Sequence, residues 1–143
     1  MNTYKILIEK SNYLHQSSWE ELFVITEHWQ SDILFFKDEL RFLQGIIVEY
    51  FPQLLKHKSI ISLKPLDEHF IHLVNTADEL TQSFEKHRRH IQELMDDPFA
   101  YDDNKFREEH EILENKFASF VIEFQEEKKQ IYRITEKIIK HNK

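Results

Sequence analysis

Large apolar side chains recur along most of this chain at alternating steps of four and three residues, the spacing that lines up one face of an α-helix. From Trp19 onward the first row runs Leu22, Thr26, Trp29, Ile33, Phe36, Leu40, Leu43, Ile47 and Tyr50. A second runs Leu66, Phe70, Leu73, Ala77, Leu80, Phe84, His87, Ile91 and Leu94. The third runs Phe106, His110, Leu113, Phe117, Phe120, Phe124, Glu127, Ile131, Ile134 and Ile138. The fold predicted is all-α: an antiparallel, up-and-down bundle of three long helices over about 19–50, 66–95 and 103–140, in a single domain 1–143.

Polar and helix-breaking residues punctuate these rows where helix ends are expected. "SSWEE" has the form of a capping box, in which Ser18 accepts from the first turn and Glu21 reaches back to the cap. Pro52 has no N–H to donate and restricts Phe51, so the first helix ends or kinks there. Pro65 suits the first turn of the second helix, "DDP" at 96–98 stops it, and Asp102 or Asp103 can cap the third. Residues 1–17 form an N-terminal appendage in which Tyr4, Leu7, Ile8 and Leu14 mark either a short fourth helix or an extended segment. The link 52–65 has room for a turn of helix at "PQLLKH".

Composition agrees with this outline. A chain of 143 residues with 41% hydrophobic and 31% charged residues can bury a core, and one Gly with three Pro leaves few breakers for anything but long helices. A net charge of −7, with 26 acidic against 19 basic side chains, disfavours a nucleic-acid partner, which would require a basic surface. Without cysteine there is no disulfide framework, thiolate metal site or thiol catalyst. The first residues lack the apolar stretch of a signal peptide, and runs such as "LFVI" and "ILFF" are too short to span a bilayer, so a cytoplasmic protein is expected. The single Gly also removes any Gly-rich phosphate loop, and no nucleophile stands with a base at a defensible spacing. An enzyme is therefore not expected.

Each row has apolar neighbours in excess of what one buried face needs: Leu34, Phe35, Phe42 and Ile46 on the first helix, Ile71 and Val74 on the second, Val121, Ile122 and Ile139 on the third. Association of two copies through these faces would cover them, which makes the chain itself the expected partner. The alternatives are a packed N-terminal segment or a thicker, Phe-rich monomer core.

Polar residues inside the rows are the remaining leads. Folding the helices back on their short links puts His87 level with Trp29 and His28 on one side and with His110 and Leu113 on the other. Asp32, His90 and Glu114 each lie about one turn from one of these histidines. The resulting set, His28, Asp32, His87, His90, His110 and Glu114, admits two readings. Either the seam histidines satisfy one another and the nearby carboxylates, or imidazoles and carboxylates from facing helices hold a metal ion. On the first reading, replacing His87 by Leu is expected to preserve or raise stability. Glu127 is expected to pair with His72, near Gln44, Glu68 and His69, because an unpaired buried carboxylate is costly.

The spacing His110-x-x-x-Glu114 resembles one element of the hemerythrin pattern, which implies oxygen-binding or redox chemistry at a di-iron centre. No Glu-x-x-His of the ferritin type occurs. "DILFFKDELRFL" is similar to stretches of uncharacterised bacterial long-helix bundle proteins, a resemblance that implies no activity. The function expected is a non-enzymatic interaction or scaffold protein without a cofactor; the alternative is a hemerythrin-like or other metal-binding bundle using iron or zinc.

Overall fold

The computed structural model describes residues 17–53 and 64–141. Among them three helices are formed, α1 (Trp19–Tyr50), α2 (Lys64–Asp96) and α3 (Asp103–His141), and there is no strand. Each starts and stops within about two residues of its expected bounds, and local chemistry accounts for the ends. At the start of α1 both halves of the capping box form, with Glu21 N donating to Ser18 Oγ at 3.1 Å and Ser18 N to Glu21 Oε1 at 3.3 Å. Lys105 N donates to Asp102 Oδ1 at 2.9 Å, so Asp102 is the cap of α3. α1 ends two residues before Pro52. The expectations for the N-terminal segment and for most of the link 52–65 fall outside the described residues.

Contacts group the chain into two compact units, one containing α1 up to Asp32 with Leu80–Ala118, the other Ile33–Glu79 with the chain from Ser119 onward. In the first unit Leu22, Ile91, Leu94 and Phe106 form a buried cluster, with Trp19, Phe23, Ile25 and Tyr101 packed against it. Arg107 lies over the Trp19 ring at 4.7 Å, donates to the Ser17 carbonyl at 2.9 Å and pairs with Asp103. Its stem and charge therefore fasten the start of α1 to α3. Further along, Phe84 packs against Trp29 (5.4 Å) and Phe117 (5.2 Å).

The second unit is built around Ile33, Leu43, Leu73, Phe120, Phe124 and Ile131, all buried. Phe36 meets Phe120 and Phe124 edge to face at 5.7 and 5.0 Å. Lys37 pairs with Asp78 at 3.0 Å, and Lys128 donates to Glu39 at 2.9 Å. Near the end of α3 the buried position is Thr135 rather than the expected Ile134, which is partly exposed. A helix turns slightly more slowly than the four-three alternation, and Thr135 tolerates the core because its hydroxyl donates to the Ile131 carbonyl at 2.7 Å.

Within each unit the α2–α3 partners change in opposite senses. Phe84, His87 and His90 meet Phe117, His110 and Phe106 in the first. In the second, His69 and His72 meet Glu127 and Glu123. No helix among the described residues is long and apolar enough to cross a membrane.

Candidate functional site

His87 occupies the next buried turn of α2 after Phe84, and His110 the next buried turn of α3 after Phe106. Their rings meet in the core of the first unit. His87 Nε2 lies 2.8 Å from His110 Nδ1, His87 is 8% exposed and His110 wholly buried. Trp29 stacks on His110 at 4.6 Å and more loosely on His87 at 6.3 Å; Phe106 lies flat against His87 at 4.7 Å. His90 presents its ring edge-on to Phe106 and Tyr101, whose hydroxyl donates to Glu109 Oε1 at 2.6 Å.

This surrounding decides the charge of the pair. Burial pushes His87 down to about 4, with the His90 charge acting in the same direction and Glu109 against it. Burial pushes His110 down to about 3, reinforced by His87 and Arg107. Both rings are neutral at pH 7, so one nitrogen of the contact donates and the other accepts. His110 Nε2 is buried without a hydrogen-bond partner among the described residues. A bare lone pair is better tolerated there than an unpaired N–H, which assigns the shared proton to His110 Nδ1 and leaves His87 protonated on Nδ1.

The other sequence-predicted ligands are arranged differently. His28 and Asp32 are exposed, each one residue from a buried seam position, Trp29 and Ile33. His90 and Glu114 are partly buried. Among the described residues no three His, Asp or Glu side chains are placed to hold a metal ion. Two ligand-type nitrogens converge, and they are bonded to each other. Of the aromatic walls, Trp29 was placed level with His87 by the sequence, while Phe106 was named only as a member of the third row; its seam position one turn from His110 was the available signal.

Glu127, 2% exposed, is paired as expected of a buried carboxylate, but with His69 instead of His72. The distance from His69 Nδ1 to Glu127 Oε2 is 2.6 Å, while His72 lies 3.8 Å from Glu123, an exposed pair worth little. The correction is one helical turn along α2, the amount by which the assumed register of the two helices was off. Burial holds the Glu127 carboxyl above the usual range, with the His69 bond acting against it, and its Oε1 is buried without a partner among the described residues.

A second candidate lies on the surface of the other unit. Leu34 (55%), Phe35 (59%), Phe42 (60%) and Val48 (69%) of α1 are exposed, whereas Ile46 is partly buried. Phe35 and Phe42 are two turns apart on one side of the helix. Comparison of the chain with protein-family models, with curated proteins and with solved structures found no match.

Proposed function

We propose that this chain is a non-enzymatic interaction or scaffold protein that works by self-association, forming a homodimer through the apolar face of α1 around Phe35 and Phe42. The observation that carries the reading is the exposure of these two rings, 59% and 60%, on a helix whose opposite face is a filled core. Aromatic side chains held on a rigid element are the residue type that dominates association energetics when covered. One turn after Phe42, Gly45 has nothing among the described residues within 4 Å of where a Cβ would stand, which leaves room for a second helix to approach closely. The falling order of α2–α3 partners supports an antiparallel, coiled-coil-like bundle as the scaffold that presents this face.

The rival reading, a hemerythrin-like or other metal-binding bundle using iron or zinc, draws support only from the convergence of His87 and His110. His87 Nε2 and His110 Nδ1 are engaged with each other, and the third donor such a site needs is not at hand among the described residues.

Sedimentation velocity over a concentration series tests the proposal. The wild type is expected to associate, and Phe35→Glu/Phe42→Glu to weaken association by about tenfold or more, since a charge would have to be desolvated in place of each ring. A wild type that stays monomeric throughout would reject it.

A further inference from the structure

The turn joining α2 to α3 carries an aromatic ring held out almost wholly in solvent. Phe99 is 95% exposed, yet its backbone is firmly held. Phe99 N donates to Asp97 Oδ1 at 3.1 Å, Ala100 N to the Asp97 carbonyl at 3.1 Å and Asp97 N to the Glu93 carbonyl at 2.9 Å. Such a ring is presented in advance, and little backbone freedom is lost when it docks. Its surroundings are acidic: Asp96, Asp97, Asp102 and Asp103 are all exposed. Met95 adds a further exposed apolar side chain.

The same chain carries a groove of matching character in its other unit. It has a volume of about 190 Å³ and lies between α1 and α2, lined by apolar Leu40, Val74 and Ala77, by the basic Lys37 and Arg41 against one acid, Asp78, and by Gln44. Lys37 is bonded to Asp78 and Arg41 to Asp38 in the free chain, at 3.0 and 2.8 Å. Pairs of this exposure contribute little and can be exchanged for others.

We infer that Phe99 of one copy docks in the Leu40/Val74/Ala77 groove of a second copy, with its aspartate flank against Lys37 and Arg41. The second copy is the occupant because one chain presents both halves, an apolar ring within an acidic turn and an apolar groove whose lining carries two basic groups to one acid. At 100° per residue, Lys37, Arg41 and Gln44 stand roughly 100° or more around α1 from Phe35 and Phe42, so this contact and the α1 face do not compete. The inference rests on the proposed self-association and specifies a second contact within it.

The test is run in the Phe35→Glu/Phe42→Glu background, where the α1 face is disabled. Residual association in sedimentation at high protein concentration is expected, weakened about tenfold or more by either Phe99→Ala or Val74→Glu. Each of those two variants keeps one half of the contact, so mixing them is expected to restore association. Phe99 is exposed and Val74 only partly buried, and unchanged helical circular dichroism confirms that both variants fold. An unchanged dissociation constant on Phe99→Ala, or no restoration on mixing, overturns the inference. If the background variant is monomeric at all concentrations while the wild type associates, the Phe99 contact falls and the α1 face stands. If the background associates as tightly as wild type and Phe99→Ala abolishes it, the α1 face falls and the Phe99 contact stands.

Discussion

Acidification from neutral pH to about 4 is expected to destabilise the fold by about 3 kcal/mol through His87 alone, with His110 adding a loss of the same sign. Both imidazoles bind protons less readily folded, at about 4 and about 3, than at their ordinary 6.5. Between those values the unfolded chain holds more protons, so the contribution is complete above about 6.5 and drains away as the pH falls toward the folded values. The structural cause is plain: once both rings are charged, neither can accept the hydrogen bond at 2.8 Å, and burial offers neither ring water. Glu127 acts in the opposite sense. Its folded carboxyl titrates above the usual range, so its contribution is present at acid pH and is lost as the pH rises. The histidine pair, with two groups, should dominate the window. Urea midpoints measured from pH 7 to 4 are expected to fall by about 1–3 M, given ordinary denaturant slopes for a domain of this size. A midpoint that is flat or rising down to pH 4.5 would contradict the neutral, buried pair.

Replacing one member of the pair is expected to be worse than replacing both. His87→Leu strips His110 Nδ1 of the partner it has among the described residues, and with His110 wholly buried and its Nε2 without a partner among them, the stranded ring cannot rehydrate. The expected loss is about 1–3 kcal/mol. This revises the expectation from sequence, on which His87→Leu preserves or raises stability. His87→Leu/His110→Leu removes both halves, completes two apolar rows and should return stability to the wild-type level or above, with a coupling of about 2 kcal/mol or more in the double-mutant cycle. The double variant should also lose the acid sensitivity between pH 6.5 and 4 attributed to the pair. Additive single effects would mean that the two rings act separately.

What the sequence made legible, and what it hid, follows from how each feature is encoded. The α2 row is buried at every expected position from Leu66 to Leu94, whereas the equally regular rows of α1 and α3 leave Phe36, Ile47, Tyr50, Leu113 and Ile134 only partly buried. Helix ends were readable because Ser18, Asp102 and the "DDP" stop act through local hydrogen bonds and sterics. The meeting of His87 and His110 was readable because a short turn separates α2 from α3, so register error had little chain over which to accumulate. At Glu127, farther from that turn, the same reasoning slipped by one turn and named His72 in place of His69. His28 and Asp32 were assigned by height along the bundle, but one residue is about 100° of rotation, which takes each out of the core. The orphaned Nε2 of His110 depends on side-chain orientation, which spacing does not encode.

Photo-cross-linking from the α1 face tests the proposed mode of action most directly. With p-benzoylphenylalanine in place of Phe42, irradiation of the assembled protein is expected to give a cross-linked dimer whose attachment site, read by mass spectrometry, lies in α1 of the second copy between Ile33 and Tyr50. A product that is monomeric only, or a dimer joined consistently outside that stretch, would contradict self-association through this face.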